Sequence, residues 1–183
     1  QYAYHDTTNH YHYRLVACGF EEIQSNERFV LNINHLRSKR GTGKESNAKR
    51  MTNMDSLLVM LHNIQENQIF HDTDILLVGD YNCYTQEQPI QTLIQNGYED
   101  LVMQYDSTGY SYVYHSEAGY LDRVFASPTM AKQVKMVRPY HLNTDYFYSR
   151  GFKRGLDKTI FRYADHDPIL ISIQLVPNHI HHD

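Results

Sequence analysis

The chain is short of the residues and runs that mark several protein classes. It has no tryptophan, and its two cysteines, Cys18 and Cys83, form neither a metal-binding spacing nor a disulfide framework. We favour two buried free thiols that pack as small apolar residues over a disulfide between them. No apolar run approaches the roughly 20 residues of a membrane span. Residues 1–13 also lack the apolar stretch of a signal peptide.

Positive charge is also scarce. Lys and Arg number 17 against 21 Asp and Glu, so the formal net charge is -4 and the pI is near 6.3. A protein that holds nucleic acid by bulk electrostatics usually presents a basic face, and this composition argues against one. Contact with a polyanion would therefore depend on local basic patches and on bound metal ions.

What is present is enough for a packed core. The chain has 183 residues, of which 41% are hydrophobic and 21% are charged, as is typical of one globular domain or a large piece of one. We assign residues 1–176 to a single, partial domain. Residues 177–183, which contain three histidines, are predicted to be a disordered tail.

Strand and helix patterns alternate along the chain without an internal repeat. Residues 38–47 are predicted to be a loop, and Ser46 or Asn47 is expected to cap a helix with apolar residues at helical spacing from Met51 to Ile64. A second helix is predicted at 90–94. Strands are predicted at 13–23 and 28–36 as an antiparallel pair, at 75–78 as a buried central strand, and at 110–115, 121–126, 134–137 and 169–175. This pattern predicts an α/β (α+β) fold with mixed sheets and helices outside.

Four short polar segments stand at the ends of strand-like runs. They are residues 34–36, 79–82, 120–123 and 165–168. Together they supply two histidines, several carboxylates and an amide side chain. Hydrolysis of a phosphodiester needs such groups, namely a base for water, carboxylates for a divalent cation and donors to the phosphoryl oxygens. The segments therefore predict a metal and phosphate site where the strand ends meet.

The individual residues also have structural interpretations. Asp80 can bind a cation and Asn82 can donate to a phosphate oxygen, but Gly-Asp-Tyr-Asn also suits an ordinary turn. His35 is followed by cations and a hydroxyl, which favours a phosphate-facing role. Asp122 could instead form a salt bridge with Arg123 or another surface cation.

Aromatic residues accompany two of these regions. Tyr110, Tyr112 and Tyr114 alternate on one strand face, where rings can stack on bases or ribose, but we favour packing of the sheet against a helix. Residues 146–162 mix aromatic residues with five cations. This loop is the best local candidate for contact with a nucleic-acid strand, although a run of charge is often only a solvated surface.

In this order and with these flanking strands, the four segments resemble the endonuclease/exonuclease/phosphatase superfamily, most closely its secreted bacterial nuclease branch. Residues 86–90 and 97–101 continue that pattern, and residues 34–39 are similar to the family's His-Leu-Lys-Ser-Lys stretch, with Arg37 for the first lysine. The resemblance implies a four-layer αββα sandwich whose N-terminal part is missing. It covers residues 13–176, roughly the C-terminal half to two thirds of a complete domain.

The resemblance also implies residue roles. Asp165 and Asp80 would bind the metal, His166 would act as general base, and Asp122 would orient its imidazole. Asp80, Asn82 and His35 would position the phosphate and stabilise the transition state. The implied cofactor is Mg²⁺, with Mn²⁺ and Ca²⁺ as alternatives. Substrate binding is assigned to Arg37, Ser38, Lys39 and Arg154.

The function implied is that of a metal-dependent phosphodiesterase, most readily a nuclease that hydrolyses DNA or RNA by in-line attack of water. Alternatives are a phosphomonoesterase, a lipid phosphodiesterase such as a sphingomyelinase, an inositol phosphatase, or a non-catalytic binding module. Nucleic acid is the expected partner, with no obligate protein partner. A secreted or periplasmic bacterial location is also implied. The family's N-terminal Asn and metal-binding Glu have no match in residues 1–33, so we expect the isolated chain to turn over little substrate.

Overall fold

The computed structural model describes residues 2–5, 14–40, 43–66, 74–146 and 162–175. The strands are β1 (Tyr2–His5), β2 (Arg14–Glu21), β3 (Arg28–His35), β4 (Ile75–Asp80), β5 (Glu99–Asp100), β6 (Tyr112–Tyr114), β7 (Glu117–Gly119), β8 (Asp122–Ala126), β9 (Val134–Pro139) and β10 (Ile169–Ile173). The helices are α1 (Gly43–Glu66), α2 (Gln88–Gln95), α3 (Leu101–Tyr105) and α4 (Pro128–Gln133). Within these ranges, no helix is long and apolar enough to cross a lipid bilayer.

A six-stranded mixed sheet forms the centre of the fold, in the order β1-β2-β3-β4-β8-β5. β3 and β4 are parallel, and α1 provides the long crossover that a parallel pair requires. The other neighbouring strands are antiparallel. β4 is buried on both faces, since Ile75 and Leu77 belong to one apolar cluster and Leu76 to another. Its uninterrupted apolar run therefore lies at the middle of the core.

The two faces of this sheet are covered differently. On one face, the apolar stripe of α1 packs with Ile90 and Leu93 of α2. On the other face lie α3, α4 and a two-stranded antiparallel sheet of β9 and β10. An apolar cleft of about 390 Å³ separates β10 from β3 and β4, and Asp122 and Asp167 also line it. The cleft therefore reaches the strand ends that carry the predicted site.

The predicted fold class is confirmed. β2 and β3 form the predicted antiparallel pair, and β4 is the predicted central strand. Helices, large sheet and small sheet follow one another as successive layers, as in the predicted sandwich. The proposed tail at residues 177–183 lies outside the described residues. The division into a domain and a tail therefore stays a prediction.

The start of α1 differs from the prediction. The helix begins at Gly43, so neither Ser46 nor Asn47 caps it. The hydroxyl of Ser46 instead donates to the carbonyl oxygen of Ser38 at 2.7 Å and accepts from Arg50 at 2.9 Å. A serine that faces the preceding loop can thus serve inside a helix, which residue type alone does not reveal.

The preferred interpretation of the tyrosines is wrong. Tyr110, Tyr112 and Tyr114 belong to neither apolar cluster, and Tyr114 is 57% exposed. The reason is topological, since β6 pairs with β7 in a separate hairpin and does not join the large sheet. Tyr114 therefore remains available at the surface, while Tyr110 and Tyr112 are partly exposed.

The two cysteines are free thiols. Cys83 is fully buried, as predicted, and burial raises the pKa of its thiol to about 12. Cys18 on β2 is only partly buried. Neither thiol is part of the site described below.

Candidate active site

Three polar side chains from neighbouring strands form a row across the large sheet. The strand register pairs His35 of β3 with Asp80 of β4, and Asp80 with Asp122 of β8. Directly opposed residues lie about 5 Å apart, so groups distant in sequence become neighbours here. Nε2 of His35 is 3.6 Å from Oδ2 of Asp80. The structure thus brings together three of the predicted site residues.

The backbone before Asp80 requires glycine. Gly79 has φ of +137°, and a Cβ at this position would lie 1.9 Å from the carbonyl oxygen of Asn34. Glycine alone tolerates this conformation and this approach together. Gly79 therefore lets β4 come close to β3 at the point where Asp80 enters the site.

Asn82 holds the carboxylate of Asp80. Its backbone N–H donates to Oδ1 of Asp80 at 2.8 Å, and its side-chain amide donates to Oδ2 at 2.9 Å. The same amide donates to the carbonyl oxygen of Leu36 at 3.0 Å. Both amide hydrogens of Asn82 are thus engaged within the protein. The sequence predicted a donor to phosphate, whereas the structure gives Asn82 a contact that positions Asp80.

His166 reaches the row from the C-terminal segment. Its Nδ1 lies 2.7 Å from Oδ2 of Asp122. The hydroxyl of Ser111 donates to the same carboxylate oxygen at 2.7 Å and accepts from the backbone N–H of Asp122 at 3.2 Å. Ser111 is completely buried. The carboxylate that faces His166 is therefore fixed from two sides.

Ser111 was not among the predicted site residues. It lies between Tyr110 and Tyr112, and a small polar residue between two tyrosines on a strand faces the opposite side from them. That alternation was a signal for a buried polar contact. The partner, Asp122, could not be read from spacing, because the hairpin of β6 and β7 lies between the two residues in the chain.

The electrostatics of the site follow from this crowding of acids. Burial, and then the nearby charge of Asp122, raise the pKa of Asp80. For His166, burial opposes the charged imidazole, but the hydrogen bond and charge of Asp122 outweigh it, with help from Asp80 and Asp165. The pKa of His166 is therefore raised. An imidazole in this setting takes up a proton readily from a group bound next to it.

Asp80, Asp122 and His166 could also hold a metal ion. Each offers one ligand atom, and these atoms lie within 4.8 Å of one another. Mg²⁺ and Mn²⁺ prefer oxygen ligands and are often bound through one or two carboxylates. Because Nδ1 of His166 is engaged with Asp122, the two carboxylates are the donors that fit a hard cation. The structure thus groups Asp80 with Asp122, while Asp165 is exposed and lies outside this group.

Asp167 anchors a loop beside His166. Its buried carboxylate accepts from the backbone N–H groups of residues 142–144 at 3.2, 2.8 and 3.1 Å, and it lies 2.8 Å from Nδ1 of His141. The side-chain amide of Asn143 then donates to the carbonyl oxygen of His166 at 2.7 Å. The loop and the segment that carries His166 are thus held as one unit.

The alternative salt bridge between Asp122 and Arg123 is absent from this part of the structure. Successive residues of β8 point to opposite faces, and the buried Arg123 lies 2.9 Å from Oδ2 of Asp100. Arg123 also donates to the hydroxyl of Thr85 at 2.8 Å. The structural interpretation of Asp122 as a partner of Arg123 is therefore wrong.

The predicted substrate-binding cations have varied surroundings. Lys39 pairs with Glu87, and its ammonium lies 4.2 Å from the ring centroid of Tyr84. The backbone carbonyl of Arg37 accepts from Arg50 of α1 at 3.4 Å. Ser38 is bound to α1 as well, through the contact with Ser46 given above. Arg154 lies outside the described residues, as does most of the basic and aromatic loop.

No protein-family model matches the sequence, and a search of curated proteins finds no match. Several solved structures are similar. One is an endonuclease/exonuclease/phosphatase family protein from Bacteroides thetaiotaomicron, with TM-score 0.60 and 16% identity over 86% of this chain and 54% of that chain. Another is a mannosyl-6-phosphatase from the same organism, with TM-score 0.61 and 12% identity over 88% and 57%. A 3′ phosphatase from Neisseria, bound to a product DNA hairpin, has TM-score 0.58 and 12% identity over 91% and 66%.

These likenesses define the fold. The chain has the architecture of endonuclease/exonuclease/phosphatase proteins, and the predicted resemblance is confirmed at that level. The chain spans between 54% and 66% of the length of the three structures. This partial coverage fits the predicted correspondence to the C-terminal part of such a domain. The named neighbours include phosphatases, whose substrates are phosphoric esters.

Proposed function

We propose that this chain carries the base and part of the metal site of a divalent-metal-dependent phosphodiesterase, and that its substrate is DNA or RNA. One observation carries the proposal, namely the hydrogen bond from His166 to Asp122 directly beside the carboxylate of Asp80. A carboxylate-oriented imidazole next to a second acidic group supplies a base and a cation ligand within a few ångströms of one phosphate.

The residues divide the chemistry as follows. Asp122 holds the imidazole of His166 so that its other nitrogen, Nε2, can accept a proton from the attacking water. Asp80 and Asp122 would hold Mg²⁺ or Mn²⁺, which when bound neutralises charge on the phosphoryl oxygens. Asn82 keeps Asp80 in place, and His35 stands at the other end of the row as a donor to the phosphate. Asp165 lies outside the three-residue group, and we propose that it acts mainly through its negative charge on His166.

A phosphomonoesterase is the second candidate. It is favoured by the likeness to a mannosyl-6-phosphatase, which shares the fold and whose name gives a sugar phosphate as substrate. The nuclease is preferred because the four sequence segments resemble the nuclease branch of this fold, while the DNA-bound 3′ phosphatase supports nucleic acid as the ligand of either activity. We rank a lipid phosphodiesterase and a binding module without activity below these two. A secreted or periplasmic location also remains a proposal, based on the resemblance of the sequence motifs.

The test is a turnover screen of the natural protein. Substrates are plasmid DNA, single-stranded RNA, mannose 6-phosphate, inositol phosphates and sphingomyelin, each with Mg²⁺, Mn²⁺ or EDTA. We expect cleavage of nucleic acid that EDTA abolishes. His166→Ala should lower the rate at least about 100-fold, while the exposed His62→Ala on α1 should not change it. Activity that survives both EDTA and His166→Ala would overturn the proposal, and hydrolysis of mannose 6-phosphate alone would establish the second candidate.

A further inference from the structure

Aromatic rings continue outward from His166 along the β6–β7 hairpin. The ring of Tyr112 lies 4.5 Å from the imidazole of His166, with an angle of 36° between the planes. The ring of Tyr114 is 6.3 Å from that of Tyr112, and their planes differ by 11°. His115 follows at 4.1 Å from Tyr114. We call these four side chains the ring row.

The outer end of the ring row is more exposed than the end at His166. The side chain of His166 is 24% exposed, Tyr112 is partly buried, and Tyr114 is 57% exposed. Tyrosine side chains gain free energy when their apolar faces leave water, and they prefer stacked or edge-on partners. A flat group bound beside the reacting phosphate would therefore meet a prepared surface at Tyr114.

The backbone holds the outer end of the row in place. His115 and Ser116 form the two-residue turn of the hairpin, with φ of +50° and +67°. Such a turn requires positive φ at both positions and usually contains Asn and Gly. His and Ser adopt this conformation only with backbone strain. This strain points to a functional constraint on the tip, where His115 packs against the ring of Tyr114.

A cation lies on the β7 side of the hairpin. Gly119 allows the ring of Tyr84 to approach, because a Cβ at Gly119 would lie 2.8 Å from that ring. The ammonium of Lys39 lies over the same ring of Tyr84. Lys39 also pairs with Glu87, but its side chain is 38% exposed. Rings next to an accessible cation suit a ligand that alternates flat bases with phosphates.

We propose that the ring row is a stacking subsite for unpaired nucleobases next to the scissile phosphate. The inference rests on the proposed function and narrows it, because bases in a duplex are already stacked and do not expose their faces. The substrate is then single-stranded or locally unpaired nucleic acid. Sequence preference should be weak, since every base has a face that can stack. Tyr114 supplies the main contact, while Tyr112 packs against His166.

The experiment compares how fast the natural protein cleaves two single-stranded oligonucleotides. Each has one cleavable phosphodiester among phosphorothioate linkages. One carries bases throughout, and the other has abasic residues on both sides of the cleavable bond. The ratio of their kcat/KM values reports how much the bases beside the cleavable bond contribute to cleavage. In a separate measurement in EDTA, 2-aminopurine replaces a base next to the cleavable bond. The quench of its fluorescence reports stacking without cleavage.

The wild type should favour the base-bearing oligonucleotide by about 10-fold and quench 2-aminopurine. Tyr114→Ala should bring the ratio close to one and abolish the quench, while Tyr114→Phe, which keeps the ring, should preserve both. Tyr140→Ala is the matched control, since Tyr140 is an exposed tyrosine outside the ring row. It should leave the ratio and the quench as in the wild type.

The outcomes separate the subsite from the function. If the wild type cleaves both oligonucleotides equally and His166→Ala cleaves neither, the subsite is overturned. The proposed nuclease function would still stand. A ratio that Tyr114→Ala does not change would also overturn it. If neither oligonucleotide is cleaved in Mg²⁺ or Mn²⁺, the nuclease function fails and the subsite fails with it.

Discussion

Nδ1 of His166 and Oδ2 of Asp122 are 2.7 Å apart, and this contact raises the pKa of the imidazole although burial opposes it. A general base must be neutral before it can act. With a raised pKa, the rate should therefore rise with pH through a value above the 6.5 of an ordinary histidine. Proximity to Asp122 thus makes His166 a stronger base and shifts the range in which it is neutral to higher pH.

Asp122→Asn should reveal this coupling. We expect kcat to fall about 100-fold or more, because the imidazole loses its orientation and the charge that stabilises its protonated form. The acid limb of the kcat/KM profile should also move to lower pH, since the cause of the raised pKa is gone. The exposed Asp55→Asn on α1 is the control. An acid limb that stays in place would contradict the role given to Asp122.

Ser111→Ala should weaken the same arrangement. The buried hydroxyl binds the Asp122 carboxylate and accepts from the Asp122 backbone N–H. Its removal leaves buried groups unpaired, so we expect a loss of about 1 to 3 kcal/mol in unfolding free energy. The rate should fall less than in Asp122→Asn, because the carboxylate itself remains. Urea unfolding and kcat would measure both effects, with exposed Ser107→Ala as control, and an unchanged stability would refute the assignment.

The sequence predicted which polar residues lie close together better than it predicted the contacts around them. His35, Asp80 and Asp122 each lie at the end of an apolar strand pattern, and strand pairing brings them together. His166 precedes the last strand and joins them through its contact with Asp122. The hydrogen bonds of Ser111 depend on pairing across segments far apart in the chain, which periodicity does not encode. The prediction that the tyrosines pack against a helix failed for a related reason. Alternation shows that they share a face, but not whether another layer covers that face.

Breaking the buried ion pair between Arg123 and Asp100 should destabilise the fold. Burial lowers the pKa of Arg123 and raises that of Asp100, so each charge depends on the other to remain in the core. Arg123→Met would leave the Asp100 carboxylate buried without its partner, at a cost of about 3 to 5 kcal/mol in unfolding free energy. Adding Asp100→Leu to this variant should recover part of the loss. If the double variant unfolds as easily as the single one, the pair is not the cause.

Asp167 should make stability depend on pH in the acid range. Burial alone would raise its pKa, but Thr144, His141 and backbone N–H groups outweigh burial and lower it. A carboxyl whose pKa is depressed on folding stabilises the protein fully above its unfolded value of about 4, and this contribution is lost as pH falls through the depressed value. Asp167→Asn should therefore be less stable than wild type at pH 6, with a gap that narrows below about pH 4. Thermal unfolding across pH would measure the gap, and one that is constant with pH would exclude this origin.

The apolar face of β2 and β3 should make the 183-residue chain associate on its own. Phe20 and Ile33 are 48% and 49% exposed, and Phe20 stacks on Phe29, which lines the cleft toward β10. A contiguous apolar surface of this kind is a site of association, because its burial removes ring and methyl groups from water. We therefore expect concentration-dependent oligomers by light scattering and strong binding of the dye ANS. Phe20→Lys with Ile33→Lys should reduce both, whereas Val59→Lys, on the exposed side of α1, should not. A monomer that binds no dye at millimolar concentration would mean that this face is covered in solution.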